Sequence, residues 1–229
     1  MVRPSAAEIA AWPTPTSAQP LAILLSGCLF GNACGVDGSD YGGWDWRERL
    51  LRASNVVVTP FCPEDAIWGT PRALCDIHGG NGFDVVDGTA RVLTEAGEDW
   101  TAGMLAAGKR MVAAAQIAGV KVAILMDTSA ACGSQVIYLG KRTAPHKVHQ
   151  RGPGVCAALL MRAGIPVVAQ RDHKTLGWLL KKIDPAFVVD VDARDFDESD
   201  WYRGYFEPKN TGAVAPSNKF ADEIGRAHV

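Results

Sequence analysis

The sequence predicts an α/β fold: a Rossmann-like, mostly parallel sheet with helices on both faces, in a single domain with N- and C-terminal extensions. Three observations carry this expectation. Short apolar runs recur along the 229 residues, bounded by Gly, Pro or Ser. Segments of helical spacing separate them. The composition, 48% hydrophobic and 21% charged, supports a core large enough for a layered domain and excludes a disordered chain.

The elements follow in order. Residues 1–20 read as an extension, with a short helix from Ala6 to Trp12 and a tether rich in Pro, Ser and Thr. "LAILL" (21–25) and "NVVVTPF" (55–61) read as buried strands, and "DWRERLLRA" (45–53) between them as a helix. "DWTAGMLAAGKRMVAAAQIAG" (99–119) is the clearest helix, with Gly119 placed to end it. "VKVAIL" (120–125) is the next strand. "SQVIYL" (134–139) reads either as a strand or as the first turns of a helix. "GVCAALLMRAG" (154–164) and "HKTLGWLLKKI" (173–183) read as helices, with "IPVVA" (165–169) and "AFVVDV" (186–191) as further strands. The α/β domain then spans 21–191. Residues 192–229 form a C-terminal extension, acidic and aromatic at first and then polar, read as wrapped on the surface or partly disordered.

A formal charge of −2 and a pI near 6.2 give no global attraction to nucleic acid or to anionic membrane. No apolar run approaches the roughly 20 residues that span a bilayer. The first residues lack the continuous apolar segment of a secretory signal, so a cytoplasmic location is expected. There the six cysteines (28, 34, 62, 75, 132, 156) are expected as reduced thiols.

Three of them follow strands. Cys28 comes three residues after 21–25, Cys62 directly after 55–61, and Cys132 after 120–125 by a short loop. Parallel neighbouring strands would bring all three to one edge of the sheet, where open α/β sheets bind ligands. Convergent thiolates can hold an iron–sulfur cluster or one zinc, and no CxxC pair points to a zinc ribbon. Three ligands to a cluster of four irons leave one iron open, as a catalytic metal site requires. Cys34 could be a resolving thiol or a fourth ligand, and is read as a non-ligand because a catalytic site needs a vacancy. Cys75 and Cys156 read as core.

"ILLSGCLFGNACGVDG", "CPEDAIWGTPR", "GEDWTAGMLAAG", "SAACGSQVIYLGK" and "GPGVCAALLMRAGIPVV" occur in the order and spacing of a bacterial family, and over about 21–169 the chain resembles the thiouracil desulfurases. The resemblance implies a [4Fe–4S] cluster held by Cys28, Cys62 and Cys132. It implies Glu64 as acid/base carboxylate and Ser129 as a serine near the substrate. The implied reaction converts C=S to C=O without net redox change, on a thiolated base or nucleoside. The chain departs from the family pattern where a Pro-Ser pair becomes Ala130-Ala131, and where Arg-Tyr becomes Gly35-Val36. These departures are expected to change the surface facing the substrate.

Further residues have two readings. Asp37 positions a substrate N–H or shapes its "DG" loop. Arg72 pairs with Glu64 or Asp37, and binds substrate. Ser134 bonds substrate or cluster, or caps a following helix. Asp99 caps the helix that begins there. The loop 140–154 concentrates Lys141, Arg142, His146, Lys147, His149 and Arg151, either as a flap that meets a phosphate or nucleic acid, or as an ordinary solvated loop. Two other functions stay open: a non-catalytic iron–sulfur or zinc-binding sensor or scaffold, and a zinc hydrolase with Glu64 as base.

Overall fold

The computed structural model describes residues 3–207. Four parallel strands, β1 (Leu21–Ser26), β2 (Val56–Phe61), β5 (Val122–Leu125) and β8 (Val167–Ala169), form the central sheet in the order β2-β1-β5-β8. β2 is an edge strand, and Pro60 lies within it. Proline lacks the N–H a ladder needs, so it is tolerated there and not in β1. Two antiparallel pairs flank the sheet: β3 (Cys75–His78) with β4 (Arg91–Thr94), and β6 (Val136–Tyr138) with β7 (His149–Arg151). A single bridge, Ile77 to Leu139, links β3 to the residue after β6, and another, Thr128 to Ile137, links β6 to the loop after β5.

Alternation along the strands divides the core into two layers. Leu24, Ala123, Leu125 and Val167 face the layer of α5 (Gly82–Val86), α6 (Thr101–Ile117) and α7 (Val155–Arg162). Ile23, Leu25, Val122, Ile124 and Val168 face the layer of α1 (Ala6–Ala11), α3 (Asp45–Arg52) and α8 (His173–Ile183). Period-two strands between two helical layers give the α/β sandwich expected from the sequence. Two four-residue helices, α2 (Gly27–Phe30) and α4 (Asp65–Trp68), follow β1 and β2 at their carboxyl ends.

Several expectations need correction. Residues 186–191 form no strand: Val188 and Val191 are 84% and 92% exposed. The segment runs along helices instead, with Phe187 beneath the Arg49 guanidinium and Val189 against Gly177 of α8. A β-branched run becomes a strand only where a ladder partner is free. "SQVIYL" resolves to β6, so Ser134 caps no helix. Asp99 caps α6 from one position earlier than a standard N-cap, accepting the Thr101 N–H at 2.9 Å. The start of the C-terminal extension is ordered helix: a 3-10 turn (Phe196–Glu198) and α9 (Asp200–Phe206), with Phe196 and Tyr202 packed on Val136. The remainder of that extension, 208–229, lies outside the described residues. No helix among the described residues is long and apolar enough to cross a membrane.

Candidate active site

The parallel order brings the loops after β1, β2 and β5 to one edge. Cys28 is the second residue of α2, which ends at Gly31. Cys62 directly follows β2 and leads into the turn Pro63-Glu64 before α4. Cys132 sits in the loop after β5, shaped by Ser129, whose hydroxyl accepts the N–H groups of Ala131 and Cys132 at 3.2 and 3.1 Å. The chain enters this loop through Thr128 at φ 57°, left-handed for a β-branched residue, and such strain gathers at functional sites. The first amides of α7, unpaired within a helix, donate to Ala130 and Ala131 carbonyls at 2.8–3.1 Å. Ala130 and Ala131 are therefore buried in the core, and their departure from the family pattern changes packing rather than exposed surface.

The thiols meet. Cys34, only 5% exposed, lies beside Cys28 and Cys62. The Cys62 thiol donates to the Cys34 carbonyl at 3.7 Å and accepts the Asp65 N–H at 3.4 Å. Cys132 lies in electrostatic reach of Cys62, Glu64 and Cys34, close to Ser26. Ser26 also accepts the Met126 N–H at 3.0 Å, which ties the ends of β1 and β5 together beneath the site. Gly27 permits the convergence: a Cβ there would stand 3.0 Å from Cys34 Sγ and 3.2 Å from Cys62 Cβ.

Hydrogen bonding to Cys28 pushes the Cys34 thiol up to about 11. Hydrogen bonding to Cys34 and then burial push Cys62 up, and burial pushes Cys132 up. Thiolates buried close to one another are unfavourable, so these groups keep protons until a bound cation replaces them. Soft sulfur donors suit an iron–sulfur cluster. Among the described residues no group of three His, Cys, Asp or Glu side chains has the geometry of a single-ion site.

Beside the thiols stands Glu64. Its carboxylate is 3.8 Å from Arg72 Nη2 and accepts the Cys75 thiol at 3.7 Å. Arg72 is nearly buried, and its other contacts are the Cys34 and Gly69 carbonyls, Thr70 Oγ1 and Cys62 Sγ. The guanidinium thus braces the turn from within. Arg142, absent from the sequence expectations as a site residue, holds Asp76 at 2.7 Å and the Cys75 carbonyl at 2.9 Å, and lies over the Tyr138 ring.

Other expected residues lie elsewhere. Asp37 is exposed and accepts the Ser39 N–H and hydroxyl at 3.0 and 2.5 Å, which shapes its own loop. Ser134 is buried on Asp127 and lines a groove with Gln135, Gly152 and Thr175. The basic loop is not uniformly solvated: Arg142 is pinned to Asp76, and His149 is buried among Tyr138, Trp201 and Tyr205.

The comparisons agree in extent. The family model for 2-thiouracil desulfurase matches residues 23–172. "Uncharacterized protein YbbK" of Bacillus subtilis (strain 168) is 35% identical over 151 residues, covering 66% of this chain and 96% of that protein. A solved structure described as the [4Fe–4S]-dependent thiouracil desulfidase TudS is 30% identical. It superposes with a TM-score of 0.54 over 66% of this chain and 91% of that one. The elements from α8 onward lie beyond the family match.

Proposed function

The chain belongs to the 2-thiouracil desulfurase family, and on that premise we propose that it hydrolyses the thiocarbonyl of a thiolated nucleobase or a related small molecule, with a [4Fe–4S] cluster held by Cys28, Cys62 and Cys132. The thiocarbonyl and one water give a carbonyl and one hydrogen sulfide. The observation that supports the proposal is that the loops bearing these cysteines, and one carboxylate flanked by Arg72, follow neighbouring parallel strands at one carboxyl edge of the sheet. When bound, such a cluster with three protein ligands supplies an open, thiophilic iron that polarises the C=S bond.

The remaining work falls to side chains. Glu64 takes a proton from the attacking water and passes it to the departing sulfur as the carbon–sulfur bond breaks, and the second water proton follows as the carbonyl forms. Arg72 stands 3.8 Å from the carboxylate as its countercharge, and its contacts with the Gly69 carbonyl and Thr70 hydroxyl brace the segment after α4. Ser129 fixes the Cys132 loop through its two amide contacts. The reading keeps Cys34 outside the ligand set, because a fourth thiolate would close the open position.

Protein purified without air should be brown, carry about four irons and four sulfides per chain, and release sulfide from 2-thiouracil or a thiolated nucleoside. Glu64→Gln should keep the iron and lower kcat by about 10²–10⁴. Undiminished turnover by an iron-free preparation would overturn the proposal. Full turnover by Glu64→Gln would remove Glu64 from it.

A further inference from the structure

Cys75 lies at the start of β3, paired with Thr94 and buried in the core layer of α6 and α7. Its thiol nevertheless reaches the site, 3.7 Å from Glu64 Oε1, while Arg72 stands 3.8 Å from Oε2. The carboxylate is thus held from two sides by donors on two different segments. The Cys75 backbone is itself clamped, since Arg142 bonds the Cys75 carbonyl at 2.9 Å and both oxygens of the adjacent Asp76. Burial and the neighbouring Glu64 raise the Cys75 thiol, so it stays protonated and keeps the S–H that it donates to the carboxylate.

We infer that Cys75 is a positioning residue for the reaction, a neutral thiol donor that fixes the rotation of the Glu64 carboxylate. The inference rests on Glu64 being the acid/base of the proposed desulfuration. A carboxylate with one free rotation samples orientations that do not face the water. A second donor removes that freedom without adding charge beside the thiolates.

The test is a cycle of Cys75→Ala, Glu64→Ala and the double variant, each prepared without air. Cys75→Ala should lower kcat on 2-thiouracil about fivefold to tenfold, the size of one modest hydrogen bond, with KM and iron content unchanged. In the Glu64→Ala background the same change should lower the residual rate no further. The iron-free proteins supply a second readout: the two substitutions should shift the urea midpoint non-additively, as contacting residues do. An unchanged kcat, an equal loss in both backgrounds, or additive midpoints would overturn the inference. If Glu64→Ala alone leaves kcat intact, the acid/base reading fails instead, and the urea cycle still reports whether the two side chains touch.

Discussion

Cys34 and Cys62 crowd together at the ends of β1 and β2, and the residue that makes room for them has no side chain. Gly27 lies against Cys34 Sγ and Cys62 Cβ, where a Cβ of its own would stand 3.0 and 3.2 Å from them, closer than a methyl group fits without displacing them. Gly27→Ala should push both cysteines outward, at about 1–3 kcal/mol of overpacking. The expected result is a folded protein by circular dichroism that retains less than half the iron and acid-labile sulfide of the parent. Normal loading would show that the loop yields elsewhere. At this scale the thiols after the three strands were legible in the sequence, because each follows an apolar run that parallel topology aligns. The depth of Cys34 and the contact of Cys75 with Glu64 were not. Both depend on where a loop or a hairpin distant in sequence comes to rest, and spacing along the chain carries no such information.

The element that carries Glu64 into place is too short to stand alone. A four-residue helix does not repay its own nucleation, so α4 needs tertiary contacts. Trp68 supplies them: it stacks on Trp100 with ring centroids 4.2 Å apart and planes 9° apart, and it lies over Gly103 of α6. Arg110, also of α6, donates to the Ala66 carbonyl at 3.0 Å. Trp68→Ala should cost about 2–3 kcal/mol by urea denaturation, less than a fully buried Trp because this ring is part exposed. It should also lower kcat/KM more than tenfold, since Glu64 immediately precedes α4. Stability lost with kcat/KM intact would separate the helix from the site. The long helices and the four sheet strands were readable because their periodicity matches what each buries. The 186–191 run was misread because composition reports what a segment could pair with, not whether an edge is vacant. The β3–β4 and β6–β7 pairs went largely unread because their short strands mix polar and apolar residues.

The whole molecule closes on itself through segments outside the family match. Arg3 reaches Asp195 at 3.1 Å and Asp197 at 2.8 Å, and Asp195 accepts both the N–H and the hydroxyl of Thr175 on α8. On the far side, Tyr205 accepts the His149 N–H at 2.9 Å, and Trp201 and Tyr205 wall in the imidazole, which is 5% exposed with both ring nitrogens unbonded. Burial, with Lys147 and Arg171 nearby, lowers His149 from its ordinary 6.5 to about 4. Between those values the unfolded chain binds a proton that the folded chain refuses. The stability His149 allows is therefore whole above pH 6.5 and drains away as the pH falls toward 4, by about 1.4 kcal/mol per unit at most. Asp172 works in the opposite direction: burial pushes its carboxyl up to about 7, so its contribution is whole below its ordinary value and declines as the pH rises to 7. The two trends offset each other in the parent, and a single curve reads neither. The difference between His149→Phe and the parent isolates the imidazole, because an aromatic ring is kept and only the titrating nitrogens go. Urea denaturation at pH 7.0, 5.5 and 4.5 should show the variant gaining on the parent by about 2–3 kcal/mol across the series. Parallel curves would mean that the aromatic wall opens to admit a charged imidazole, and that the helix α9 closing this side is held more loosely than its contacts indicate.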